Sequence, residues 1–196
     1  MKTGRSAIVL TFVLIMAMAP LYAEKYAVGI KLCSFSSHPK GSPNAQFMPY
    51  KFDDRGIFVY NPGVALSFEY FIFDDLLSIK LMQGLYGDCA LKFLGYSHVG
   101  FRVRFLKINR FSMNIGIGPS FIYRQSWYTL KGYDVSEKFM YGTPFEKWEY
   151  LFIWYGGEIE CNFRILERAD LSVSVVPAGV ELININIGFR YRIGTK

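Results

Sequence analysis

The sequence predicts an all-β fold, an eight-stranded antiparallel up-and-down transmembrane β-barrel. Three observations lead there. Eight segments alternate residue by residue between a large apolar side chain and a small or charged one, the pattern of strands with two unlike faces. The 196-residue chain is 52% hydrophobic and 18% aromatic, yet no segment is a charge-free apolar run of the ~20 residues that a membrane helix needs. The alternating segments also follow what reads as an export signal. A closed barrel reconciles these features, because it shows lipid only every second residue and leaves no backbone group unpaired.

Lys2 and Arg5 form a basic start, residues 7–19 are apolar apart from Thr11, and Pro20 breaks the run. Leu21-Tyr22-Ala23 then offers a small residue for cleavage before Glu24. This is the pattern of a secretory signal, and the run is too short for a membrane anchor. The expected division is a signal at residues 1–23 and a barrel at 24–196. The expected location is a bacterial outer membrane, reached through the periplasm.

The first strand is expected at residues 25–34, with Tyr26, Val28, Ile30 and Leu32 opposite Ala27, Gly29, Lys31 and Cys33. A long loop, 35–55, follows. The second strand, 63–73, sets Val64, Leu66, Phe68 and Tyr70 against Ala65, Ser67 and Glu69, and Asp74-Asp75 turns the chain. The third, 76–86, opposes Leu77, Ile79 and Leu81 to Ser78, Lys80 and Met82, and ends at a Gly87-Asp88 turn. The fourth, 90–106, carries Val99, Phe101, Val103 and Phe105 against His98, Gly100, Arg102 and Arg104. After a turn at 107–110, the fifth alternates most regularly, with Phe111 to Tyr123 opposite Ser112, Asn114, Gly116, Gly118 and Ser120. A second long loop covers 125–148. The sixth strand, 149–165, is read with Leu151, Ile153 and Tyr155 on one face and Trp154, Gly156, Glu158 and Glu160 on the other. The seventh is 170–177, with a turn at 178–181, and the eighth is 182–193. The chain closes on Tyr191-Arg192-Ile193-Gly194-Thr195-Lys196, so its last aromatic is not terminal.

Size decides which face points out. An eight-stranded barrel has an interior only just wide enough for side chains. The rings of Phe68, Phe101, Phe105, Phe121, Phe163 and Phe189 would overfill it, whereas the glycines of the other face make room for Arg and Lys. The aromatic face therefore meets lipid and the charged face points inward. Buried charge must be paired, so an ion network is expected from Glu69, Glu158 and Glu160 with Arg102, Arg104, Arg190 and Arg192. Lys92, Arg124 and Arg164 are read as facing inward too. A filled lumen argues against an open channel.

The net charge of +6 becomes +4 once Lys2 and Arg5 are removed, a modest excess that does not point to nucleic acid. The basic residues suit lipid headgroups or lipopolysaccharide phosphates. Three cysteines leave room for one Cys33–Cys89 bridge, with Cys161 on the lipid-facing parity. No CxxC, metal-ligand run, phosphate-binding loop or nucleophile elbow is present, so no metal or other cofactor is expected.

The residues that carry chemistry gather at one rim. Ser36-Ser37-His38-Pro39 opens the first long loop, and Gly87-Asp88-Cys89 turns the chain between the third and fourth strands. Together they supply a base, a carboxylate and a thiol, the parts of an acyl-transfer constellation. With Gly95-Tyr96, Arg124-Gln125-Ser126-Trp127 and Val176-Pro177-Ala178-Gly179, the chain resembles the lipid A palmitoyltransferases, eight-stranded outer-membrane enzymes. The resemblance implies catalytic roles for His38, Asp88 and Cys89, the last standing where that family has serine. It also implies a lateral opening to lipid at Pro177, since proline cannot donate to a strand ladder.

Two functional readings follow. One is a non-enzymatic surface protein, monomeric, whose loops 35–55 and 125–148 contact lipopolysaccharide or a surface protein. The alternative is a lipid A acyl-modifying enzyme with its site at the outer rim. Outer-membrane lipids are the expected partners in both.

Overall fold

The computed structural model describes residues 25–73, 75–137, 140–177 and 183–194, with the side chains of Cys33 and Glu137 left aside. The expected signal at 1–23, Asp74, Phe139 and the turn at 178–181 lie outside the described residues.

Eight strands form one closed antiparallel barrel, each paired with the next in the chain and the last with the first. They are β1 Tyr26–Ser37, β2 Phe58–Phe73, β3 Leu77–Gly87, β4 Phe93–Ile108, β5 Phe111–Gln125, β6 Trp148–Arg164, β7 Ala169–Pro177 and β8 Ile183–Ile193. Among the described residues no helix is long and apolar enough to cross a membrane, and the helical content is three single 3-10 turns. Connections at 74–76, 109–110 and 165–168 are short and share one end of the barrel; those at 38–57, 88–92 and 126–147 lie at the other.

The expected polarity holds. Phe101, Phe105, Phe121, Phe163 and Phe189 stand exposed on the outer surface, while Lys31, Glu69, Lys80, Arg102, Glu158 and Glu160 are buried inside. An outer belt of this extent is the face of a transmembrane barrel. Inside, close approach explains particular glycines: a Cβ on Gly188 would lie 2.0 Å from the carbonyl oxygen of Ile30, and one on Gly118 would lie 2.1 Å from that of Val99.

The half nearest the short turns is filled by charge. Four cations, Lys31, Lys80, Arg102 and Arg190, meet four carboxylates, Glu69, Glu158, Glu160 and Asp170, all buried. Glu160 lies 3.0 Å from Lys31, 3.0 Å from Lys80 and 2.8 Å from Arg102. Lys80 also bonds Glu158 at 2.8 Å, and Glu69 takes Arg102 at 2.6 Å and Arg190 at 2.8 Å. Arg104 and Arg192 sit nearer the rim, 2.9 and 2.7 Å from Asp75.

Three details differ from the sequence expectation. First, β1 and β2 pair as far as Ser37 and Phe58, beyond the expected strand ends at 34 and 63, so the first long loop spans 38–57. Second, irregularities reverse the inside-outside parity. One lies between Lys31 and Cys33, so Ser34 and Ser36 turn inward. Another sets Trp154 and Tyr155 of β6 against the single residue Pro119 of β5. Proline has no N–H for the ladder, and a bulge at that point re-aims its neighbours. Trp154 and Tyr155 both point out, 70% and 81% exposed, whereas Leu151 and Ile153 pack inward against Ile122. Third, Lys92 lies in the 88–92 turn and bonds Thr129 at 2.7 Å instead of entering the lumen.

Candidate functional site

These reversals leave the long-loop half of the barrel with a different interior. Apolar side chains now face the axis, and a cavity of about 100 Å³ remains between the ion network and the long loops. At roughly 10–15 Å³ per water on this measure, it has room for about seven to ten waters. Met82 and Tyr96 lie towards its floor, and Ile122, Ile153 and Val176 are among its walls. Below Tyr96, His98 stacks on that ring and shares a 2.8 Å hydrogen bond with Ser120.

The roof is a cap made by three connections. Met48 from the first long loop, Cys89 from the 88–92 turn and Trp127 from the third connection form one cluster with Val59. Asn44 ties the two long loops together. Its Nδ2 donates to the carbonyl of Asp134 at 2.9 Å, and the Asp134 N–H donates back to its Oδ1 at 2.8 Å. The loops are folded together over the barrel mouth.

His38, Asp88 and Cys89 all line this cavity. Cys89 is a free thiol, so it forms no bridge with Cys33. Its Sγ lies 3.6 Å from His38 Nε2. Burial, and then the neighbouring Asp88 carboxylate, push the thiol up to about 12. Asp88 shapes the turn that presents Cys89: Oδ1 accepts from the N–H groups of Ala90 and Lys92, both at 2.9 Å, and Oδ2 accepts from Trp127 Nε1 at 2.5 Å. Burial raises the Asp88 carboxyl, against the opposing effects of the Trp127 hydrogen bond and the Arg124 charge. Arg124 holds the indole from the other side, 4.5 Å over the ring, and bonds Glu149 at 2.6 Å.

Beside the cavity runs the seam between β6 and β7. β6 pairs with β7 only from Ile159 to Arg164, against Val175 to Asp170. Among the described residues, the part of β6 before Ile159 has no β7 partner, and β7 ends at Pro177. Ile153 and Gly156 on one side of this seam and Val176 and Pro177 on the other all line the cavity.

Sequence reasoning missed Asn61, Asn184 and Met82 as cavity residues. Asn61 falls between the loop read at 35–55 and the strand read from 63, and its inward direction depends on β1–β2 pairing that no local pattern reveals. Ile122 was legible, since it shares the parity of Ser120. Among the described residues no cluster of His, Cys, Asp and Glu is arranged to hold a metal ion.

No family model matches the sequence, and no curated protein is similar enough to count as a relative. Among solved structures, the chain is similar to Neisserial surface protein A, at 10% identity and a TM-score of 0.48, covering 88% of this chain and 98% of that one. It is also similar to the attachment invasion locus protein of Yersinia pestis, solved in complex with the heparin analogue sucrose octasulfate. There the identity is 12% and the TM-score 0.41, covering 86% and 96% of the two chains. A de novo designed transmembrane β-barrel matches at 11% identity and a TM-score of 0.46, over 87% and 97%. The barrel assignment rests on this chain's own strand pairing.

Proposed function

We propose that this protein is an outer-membrane barrel that takes one acyl chain of a membrane lipid into the cavity beneath its cap. The observation that carries this reading is the position of the cavity. It is apolar along much of its wall, roofed by the loops, floored by an ion network, and it reaches the β6–β7 seam at Ile153, Gly156, Val176 and Pro177. Short turns on one end and long connections on the other suit an orientation with the cap outside the cell. A chain can then pass sideways from the outer leaflet, past Val176 and Pro177, without crossing the polar cap.

The test is purification from isolated outer membranes, followed by mass spectrometry of the lipid that stays bound. Wild-type protein should retain acyl-bearing lipid after detergent exchange. Met82→Trp, which fills the cavity from its floor, should lose it while the barrel still folds. Equal lipid content in the two proteins counts against the reading.

The juxtaposition of His38 and Cys89 favours a second reading, an acyl-modifying enzyme of the outer leaflet. In that reaction the thiol attacks an ester carbonyl as its proton passes to His38 Nε2, the departing alcohol takes that proton, and the acyl group stays on Cys89 as a thioester; an acceptor hydroxyl, giving its proton to His38, then takes the acyl group, and the released thiolate recovers the proton. Lipid A profiles of cells with and without the protein test it. An added or lost acyl chain that disappears in His38→Ala supports catalysis; identical profiles oppose it. Contact with lipopolysaccharide or a surface protein through the loops draws support from Phe52 and Phe145, 69% and 97% exposed on the cap. Deleting part of 126–147 should then abolish that contact without unfolding the barrel.

A further inference from the structure

The cavity has two unlike walls. Along β8, β1, β2 and β3 it is lined by Ser34, Ser36, Asn61, Tyr86, Asn184 and Asn186. On β4, β5 and β6 stand Leu94, Ile122 and Ile153, with the Tyr96 ring and its buried hydroxyl among them. A plain alkyl chain matches the second wall and leaves hydroxyls and carboxamides of the first facing hydrocarbon, which is costly.

The polar wall satisfies itself only in part. Ser36 donates to Asn184 Oδ1 at 2.8 Å and accepts from Asn61 Nδ2 at 2.5 Å, and Tyr86 donates to Asn186 Oδ1 at 3.3 Å. Asn61 Oδ1 has no hydrogen-bond partner, although Asn61 is only 5% exposed. Buried polar atoms are nearly always paired, so an orphan of this kind asks for an explanation. Turning the carboxamide over only exchanges an orphaned acceptor for orphaned donors.

We propose that the occupant of the cavity is an acyl chain bearing a hydroxyl near its head, with that hydroxyl donating to Asn61 Oδ1. The inference rests on the acyl-chain reading above and narrows its ligand class. The position of the polar wall sets where the oxygen lies. Ser36 is one residue from the end of β1, and Ser34 is two residues deeper. The band is thus roughly 7 Å deep at the strand rise of a sheet, enough for the head and the first few carbons. Beyond it the tail meets Met82 and Ile122.

The experiment uses the full chain in detergent micelles loaded with cis-parinaric acid, a fluorescent polyene fatty acid. Tetradecanoic acid and 3-hydroxytetradecanoic acid are compared as competitors. The hydroxy acid should displace the probe at about ten-fold lower concentration, the effect of one well-placed buried hydrogen bond. Asn61→Leu should bring the two acids to parity while the plain acid displaces as before. Equal displacement by both acids in the wild type overturns the proposal, as does a preference that survives Asn61→Leu. Failure of either acid, and of tetradecanoyl lysophospholipid, to displace the probe overturns the acyl-chain reading itself. Lysophospholipids bearing the same two chains form the second arm. The same preference there assigns the site to an esterified chain, and a preference confined to the free acids assigns it to a hydroxy fatty acid.

Discussion

Glu160→Gln should strongly destabilise the barrel. The native carboxylate is 2% exposed and is surrounded by Lys31 and Lys80 at 3.0 Å and Arg102 at 2.8 Å. Its Oε1 also accepts from Ser172, which in turn accepts from Lys31. Glutamine keeps the shape and one acceptor but removes the charge, so the network changes from four against four to four cations against three carboxylates. Breaking a buried ion pair from one side costs about 3–5 kcal/mol, because the partner charge stays desolvated. That corresponds to roughly two to three and a half powers of ten in the folding equilibrium. Urea unfolding in detergent micelles, followed by tryptophan fluorescence and by gel mobility of unheated samples, measures it. The double variant Lys31→Met with Glu160→Gln restores neutrality and should recover most of the loss. A Glu160→Gln midpoint equivalent to less than about 1 kcal/mol, at unchanged slope, refutes the network as the support of this half of the barrel. So does a double variant that is less stable than the single one.

Further outcomes follow from the site and the strand contacts. With Cys33 and Cys161 changed to alanine, Cys89 should alkylate about a thousand-fold more slowly at pH 9 than an ordinary thiol. Its rate should still rise with pH beyond the usual thiol range, because the thiol is held up to about 12; rapid modification at pH 8 would contradict that environment. Asp88→Ala removes the acceptor for Ala90, Lys92 and Trp127. It should make 38–57 and 126–147 protease-sensitive while the barrel's gel mobility stays native, and unchanged resistance would show that the cap does not hang on this carboxylate. Gly188→Ala drives a methyl into the Ile30 carbonyl and should cost about 1–3 kcal/mol. Gly157→Ala meets nothing within 4 Å and should stay within about 0.5 kcal/mol of wild type by the same unfolding assay. The purified protein should need detergent to remain dispersed; solubility without it would contradict the lipid-facing belt.

Strand count, antiparallel order and the polarity of the sheet were legible because each depends on local alternation and on the steric limit of a narrow barrel. Phe101, Phe121 and Phe189 do not fit inside eight strands, so they stand outside. The gathering of His38, Asp88 and Cys89 at one rim was legible for a similar reason, since an up-and-down meander brings alternate connections to the same end. The content of the lumen was harder to foresee. A period of two carries direction along a strand only until a bulge shifts it, and a bulge depends on the partner strand. Pro119 opposite Trp154 and Tyr155 turned Leu151 and Ile153 inward, and the shift at Lys31–Cys33 turned Ser34 and Ser36 inward.

Alternation along the sequence therefore determined a barrel with aromatic rings outside and charge within. Tertiary pairing decided that the charge fills only half of it, and that Lys31 and Lys80, not Arg104 or Arg192, neutralise Glu158 and Glu160. It also placed an apolar cavity with one polar wall under the cap. Hydrogen-bond register couples residues far apart in the chain, and one extra residue in one strand re-aims every side chain beyond it.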